Sequence, residues 1–212
     1  MSVAAIILAA GAATRFGSLK QLAEVEGVPL VARAVAAASG VAVLDPVVLV
    51  VGAEGERVAA AVPEGRHRTV TCEDWADGLS ASLRSGIVGA GPVDAAMILL
   101  ADQPLVSSAL VRRVLADGMP ALAKGIHDAA RPVWEGRPGH PVLLGWRGLS
   151  RHRELRGDVG ISSLLEPERI LLLRSLDESP VIDVDYPRDL RLASNIAAQR
   201  AAAARRKSEQ AV

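Results

Sequence analysis

The sequence predicts an α/β protein built on a single doubly wound, mostly parallel sheet. Short unbroken apolar runs occupy Val3–Ala9, Pro46–Val51 and Ala95–Ala101, and they are closed by Gly11, Gly52 and Asp102. Runs of this length without polar alternation suit strands buried on both faces, as in a parallel sheet. Helix-like stretches separate them: Leu30–Ser39 closes at Gly40, Glu54–Val62 at Pro63 and Leu79–Val88 at Gly89. Strand–helix alternation of this kind is the pattern of a doubly wound sheet. Right-handed crossovers then bring the C-terminal ends of the strands, and the loops after them, to one edge.

The 212 residues are enough for one large α/β domain, and 50% of them are hydrophobic. Aromatic residues make up only 2%, so Ala, Val, Leu and Ile must build the core. The 24 basic and 24 acidic residues cancel. A neutral chain points to neither nucleic acid nor a membrane surface as partner. Cys72 is the single cysteine, so no internal disulfide can form, which fits a reducing compartment. The apolar start, Met1–Gly11, has no basic flank and is too short to cross a bilayer, so a soluble, cytoplasmic protein is expected.

The second half of the chain is less regular. Pro141–Leu144, Ile170–Leu173 and Val181–Val184 are short apolar segments suited to extending the sheet, with loops at Gly136–Gly139 and Arg156–Gly160. The stretch from Asp117 to Ala130 predicts nothing. From Pro187 the pattern turns helical, and Ala197–Val212 becomes an Ala/Arg run. One domain over residues 1–196 is expected, followed by a helix end or disordered tail over 197–212.

The loop after the first run, Leu8-Ala-Ala-Gly-Ala-Ala-Thr-Arg-Phe-Gly-Ser-Leu-Lys20, combines small residues with two cations. Small residues let a polyphosphate approach backbone N–H groups closely. Arg15 can engage phosphate oxygens in a bidentate way, and Lys20 acts as a compact point charge. The residues alone leave open an ordinary β-to-α turn with two solvated cations. The dinucleotide fingerprint fails because residue 13 is Ala, and the P-loop fails because Ser18-Leu19 separates Gly17 from Lys20.

Later segments add polar groups at the same edge. Asp102, in Leu99-Leu-Ala-Asp-Gln-Pro104, ends a buried strand. A carboxylate there needs solvation, a partner or a metal, with an N-cap for a helix starting near Val106 as the alternative. Ser80 and Ser82 enter the helix after Gly78, where hydroxyls read a ligand or merely cap. His140 either binds a ligand or pins a turn, and Asp158, between two glycines, either binds or caps the next helix. In Asp183-Val-Asp185 alternation along a strand would put both carboxylates on one face. Asp189 suits the start of the last helix.

The pattern G-x3-R-x-G-x2-K over Gly11, Arg15, Gly17 and Lys20 resembles the signature loop of the MobA-like nucleotidyltransferases, L-A-A-G-x-S-x-R-M-G-x-x-K, with Ala13 for Ser and Phe16 for Met. Glu73–Arg84, Leu99–Pro104, Gly139–Leu144, Gly157–Gly160 and Asp183–Asp189 resemble further motifs of that family in order, with Glu73-Asp74 where Asn is frequent and Tyr186 where Thr is usual. The resemblance implies a Rossmann-like nucleotidyltransferase fold with a smaller irregular region on the acceptor side. It implies catalytic roles for Arg15, Lys20 and Asp102, and nucleotide contacts from Leu8, Ala9, Ala10, Gly11, Gly17, Gly78, Ser80 and Ser82. Mg²⁺ would sit on Asp102 and Asp185, and the acceptor would meet His140 and Asp158. Ala9-Ala10-Gly11 matches the cytidylyl branch, whose reaction joins CTP to a molybdopterin-type acceptor and releases pyrophosphate. A molybdoenzyme is then an implied protein partner. Guanylylation, another phosphorylated acceptor and a non-catalytic cofactor-binding module remain the alternatives.

Overall fold

The computed structural model describes residues 1–13, 15–160, 163 and 165–209. Its centre is an eight-stranded sheet. The strands are β1 (Val3–Ala9), β4 (Leu44–Val51), β5 (His67–Thr71), β6 (Ala95–Leu100), β7 (Ala129–Trp134), β8 (Arg137–Pro138), β9 (Val142–Gly145) and β10 (Ile170–Arg174). A two-residue hairpin, β2 (Glu24–Val25) with β3 (Val28–Pro29), stands apart. The order across the sheet is β10-β7-β9-β6-β1-β4-β5, with β8 beside β7. β1 pairs parallel with both β4 and β6, β4 with β5, and β7 with β10. β9 runs against its neighbours β6 and β7, and β8 runs against β7. The sheet is therefore mixed but mainly parallel, as expected.

Alternation along the strands sorts the core into two layers. Val3, Ala5, Ile7 and Ala9 of β1 face one side, with Val47, Leu49 and Val51 of β4 and Met97 and Leu99 of β6. Helices α1 (Leu30–Ser39), α2 (Gly55–Ala60) and α4 (Ser108–Ala123) cover that side through Val31, Val35, Val58, Val111 and Val114. Ala4, Ile6 and Leu8 face the other side, under α3 (Leu79–Ala90) and α5 (Trp146–Ser150). Two covered faces explain why these strands read as unbroken apolar runs. With few aromatics, close approach does the filling. A Cβ at Gly86 on α3 would collide with Ile6 Cγ2 and come within 3.0 Å of Val50 Cγ2.

Two segments depart from expectation. Val181–Val184 is not a strand: Ser179–Val181 forms a 3-10 turn, in which Pro180 has no N–H to give a ladder. The Val184 N–H instead donates to the Asp102 carbonyl at 2.9 Å. β5 and β7 arise where the sequence offered no run: β5 is a polar edge strand, and Arg131-Pro132 interrupts the apolar content of β7. The last helix, α6 (Pro187–Glu209), carries the Ala/Arg stretch on as helix to Glu209. Its apolar side, through Ala193 and Ala197, packs on Val25, Leu30, Leu105 and Val184. Among the described residues no helix is long and apolar enough to cross a membrane.

The topology singles out β1. The chain runs from β1 out to β4 and β5, then returns to place β6 on β1's other side. The order reverses there, so a crevice opens beyond the C-terminal ends of β1 and β6. Replacing Gly86 by Val should lower stability by about 1–3 kcal/mol by overpacking α3 against β1. Denaturant unfolding of both proteins tests this, and an unchanged midpoint would mean that the interface is loose enough to admit the larger side chain.

Candidate functional site

Beyond those strand ends lies a cleft of about 430 Å³. Leu8, Ala9, Ala10, Gly11, Arg15 and Lys20 line it from the first loop, Gly78 and Ser82 from the start of α3, and Asp102, Asp158 and Asp185 from later segments. Most of the residues expected at the site therefore converge. Gly17, Ser80 and His140 are not among the lining residues.

The centre of the cleft is a cation between two carboxylates. A 3-10 turn over Lys20–Leu22 delivers Lys20, whose Nζ donates to Asp102 Oδ2 and Asp185 Oδ1, both at 2.7 Å. Arg15 is largely exposed and stands 3.7 Å from Asp185 Oδ2. Burial alone would lower the Lys20 ammonium, but the charge and hydrogen bond of Asp102, with those of Asp185, hold it above its usual value. The hydrogen bond from Lys20 holds the Asp185 carboxyl below its usual value, with the charges of Lys20 and Arg15 adding to it.

Asp102 does not cap the next helix. Ser107 does, its hydroxyl accepting from the Leu110 N–H at 3.3 Å. Asp102 Oδ1 is buried and has no hydrogen-bond partner. Asp183 and Asp185 do not share a strand face. Asp183 accepts from Gln103 Nε2 at 2.7 Å, and burial, joined by the nearby Asp102 and Asp185, raises its carboxyl above the usual range despite that bond. Asp189 accepts from the backbone N–H groups of Asp185 and Tyr186 at 3.1 and 2.8 Å, capping α6 and fixing the Asp185 backbone.

Two glycines let segments meet at this edge. Gly78 has φ +99°, and a Cβ there would come within 2.8 Å of the Gly157 backbone. That contact brings Asp158 to the start of α3, where its carboxylate accepts from the Leu79 N–H at 3.3 Å. The helix Asp158 caps is therefore α3, which precedes it in the chain. Gly52 lies under the first loop, where a Cβ would meet Ala10 O at 2.7 Å and Trp75 Cβ at 2.6 Å. Ser80 is fully buried and its Oγ accepts from Arg84 at 3.2 Å, whereas Ser82 reaches the cleft wall. Gly17 supplies a left-handed turn, φ +84°, between Arg15 and Lys20.

His140 belongs to an adjoining cavity of about 380 Å³, which shares Leu8, Leu79 and Leu100 with the cleft. Among the described residues its walls are apolar except for His140, Arg131 and Ser163. Burial pushes the His140 imidazole down to about 3, and the Arg131 charge adds to the shift. Arg131 donates from Nε to the Gly139 carbonyl at 3.0 Å. Sequence reasoning missed Arg131, which lies just past the uninformative stretch, and gave Gln21 no role beyond its place in the Lys20-Gln21 pair.

Lys20 brings both carboxylates within 2.7 Å of one point, so a single metal cation there could reach Asp102 and Asp185, and Asp102 Oδ1 has a free acceptor position. No group of three His, Cys, Asp or Glu able to hold a metal occurs among the described residues. Two carboxylates suit a hard cation that draws its other ligands from phosphates and water, as Mg²⁺ does.

The His140 shift has a defined consequence for stability. Its unfolded form takes up a proton near 6.5, which the folded protein refuses until about 3, so stability falls as pH drops across that window. Between about pH 7 and pH 4, His140→Gln should lose less stability than the wild type. Equal losses in denaturant titrations would show that the folded imidazole protonates normally.

Known proteins agree with the fold. The sequence profile described as the MobA-like NTP transferase domain matches residues 5–175. Nicotine blue oxidoreductase of Paenarthrobacter nicotinovorans is 32% identical over 192 residues, which cover 86% of this chain and 92% of that protein. The crystal structure of Rv0371c from Mycobacterium tuberculosis H37Rv superposes with a TM-score of 0.80 at 26% identity, covering 92% of this chain and 98% of that one. A manganese complex of Rv0371c has a TM-score of 0.76 at 24% identity, covering 92% and 99% of the two chains. With its glycine loop, lysine and aspartates gathered at the switch point of a mainly parallel sheet, the chain belongs to the MobA-like NTP transferase domain family.

Proposed function

We propose that this protein transfers a nucleoside monophosphate, CMP from CTP, to a phosphate-bearing acceptor of molybdopterin type. The observation that carries the reading is the Lys20 ammonium, held at 2.7 Å by both Asp102 and Asp185 at the mouth of the glycine loop. A triphosphate on the loop offers Lys20 and Arg15 new partners and frees the two carboxylates. Mg²⁺ bound there would neutralise charge on the α-phosphate and the departing pyrophosphate. Rv0371c was solved in complex with manganese, which is consistent with a divalent ion in this reading.

The chemistry needs no general base, because an acceptor phosphate is already a nucleophile. Its oxygen attacks the α-phosphorus, the bond from that phosphorus to the bridging oxygen breaks, and pyrophosphate leaves. The protein's work is to bring two anions together and stabilise the developing charge. The adjoining cavity supports the acceptor side of the reading. A neutral imidazole and a half-buried guanidinium above an apolar floor suit a flat heteroaromatic body whose phosphate reaches past Leu8 and Leu79 into the cleft. Asp158 lines the cleft, while Val159 and Gly160 after it line the cavity. Ala10 narrows the space above the loop and favours a pyrimidine, though a group of that size gives only ~1–3 kcal/mol of discrimination. The reaction belongs in the cytoplasm, with a molybdoenzyme as recipient of the product.

Pyrophosphate release from protein, Mg²⁺, a molybdopterin-type acceptor and each NTP tests this. CTP should react fastest, and Ala10→Gly should shift the preference toward GTP. Lys20→Ala should fold normally and lose about 10²–10³ in rate. Asp102→Asn should weaken metal-dependent nucleotide binding while changing thermal stability little. Faster turnover with GTP would overturn the cytidylyl assignment, and normal turnover by Lys20→Ala would overturn the site. Because a relative is named an oxidoreductase, NADH and NADPH belong in the same assay. Their oxidation without pyrophosphate release would replace transfer with redox chemistry.

A further inference from the structure

Gln21 is a polar residue that the proposed chemistry leaves without a task. It lies on the 3-10 turn beside Lys20, lines the cleft, and is only 3% exposed. Its Nε2 donates to two backbone carbonyls of the first loop, Ala9 O at 3.1 Å and Gly11 O at 2.6 Å. Those partners define the amide's orientation, since the flipped form would press its oxygen against two carbonyl oxygens. Both N–H bonds are thus spent on the loop. Gln21 Oε1 is buried without a partner, so the amide is held through its donors alone.

The carbonyl between these two is also held. Ala10 O accepts from the Ala53 N–H at 3.1 Å, across the contact that requires glycine at position 52. Three consecutive carbonyls, Ala9 to Gly11, are therefore engaged by the protein itself. For a loop that receives an anion this matters in sign. A carbonyl oxygen facing a phosphate repels it, whereas an N–H attracts it, and successive peptide units turn as one. Of the three donors, Ala53 is backbone and Gln21 supplies the other two contacts.

We infer that Gln21 is a positioning residue: by holding the Ala9 and Gly11 carbonyls it sets the loop's N–H groups toward the polyphosphate. It also couples the loop to Lys20 next to it, so that amides and ammonium reach the same phosphates from one rigid turn. The inference rests on the reading of the glycine loop as a polyphosphate site. It assigns Gln21 to the phosphates rather than to the base.

The test compares binding of CTP and CMP, with Mg²⁺, to the full-length wild type, Gln21→Met and Gln21→Glu by titration calorimetry. Met keeps the length of the side chain and removes the donors, and Glu keeps the shape and replaces the donors with acceptors. Each variant should lose about tenfold or more in CTP affinity, the size expected for hydrogen bonds to a charged group, while CMP binding changes far less. The CTP-to-CMP affinity ratio should collapse in both. A ratio unchanged in a folded variant would overturn the inference, because the loop then keeps its orientation without Gln21. Equal losses for CTP and CMP, with a lowered melting temperature, would overturn it too, by making Gln21 a packing residue only. Should Gln21→Met fail to fold, Gln21→Glu decides. A wild type that binds CTP no better than CMP removes the polyphosphate reading itself, and the inference with it.

Discussion

A lysine ammonium held between two aspartates is the contact on which the site depends, and it is made by residues far apart in the chain. Lys20 comes from the first loop, Asp102 from the end of the fourth sheet strand in sequence, and Asp185 from the turn before the last helix. Each needs its own anchoring. The Asp102 backbone is tied to Val184, and the Asp185 backbone is tied to Asp189. These ties hold the carboxylates together against their mutual repulsion, to which Asp183, buried beside them, adds. The ammonium offsets that repulsion in a partly enclosed cleft, where charges interact more strongly than in water. A site poised in this way exchanges partners readily: what displaces the lysine must bring both an anion for Lys20 and a cation for the aspartates. A metal nucleotide brings both.

The sheet supplies the rigidity that such a cluster needs. β1 has paired neighbours on both sides and helices on both faces, so its C-terminal end is held in every direction. The loop after β1 inherits that order and then has its carbonyls tied down. Glycines at 52 and 78 set how closely neighbouring segments approach, one beneath the loop and one at the start of α3. In a chain poor in aromatics, precision at the site comes from backbone proximity rather than from large side chains wedged between elements.

Electrostatics divides the crevice into two spaces with different tasks. In the cleft the charges are paired and solvent-accessible, and so ready to be re-paired. In the adjoining cavity burial keeps His140 neutral and surrounds Arg131 with apolar walls. A neutral imidazole there can orient a ligand by hydrogen bonding, but it carries no proton to donate as an acid near pH 7. This agrees with a reaction that needs positioning and charge stabilisation rather than proton transfer.

By itself the sequence determined the fold class, because apolar runs closed by Gly or Asp encode strands buried on both faces. The resemblance of its motifs to the MobA-like family also grouped Gly11, Arg15, Lys20, Asp102 and Asp185, which the structure brings to one cleft. Local spacing could not decide where Val181–Val184 goes, since Pro180 and a long-range bond to Asp102 override its apolar content. Nor could it decide that Ser80 turns into the core while Ser82 turns to the cleft, a matter of helical rotation. Asp158 caps a helix that lies earlier in the chain, and His140 shares a cavity with Arg131 from another strand. Gln21 was invisible as a functional residue because its partners are backbone carbonyls, which every sequence has. Residue type specifies which chemistry is available. Only the tertiary structure decides which carbonyl, carboxylate or apolar wall each group meets, because those contacts join segments that the sequence keeps apart.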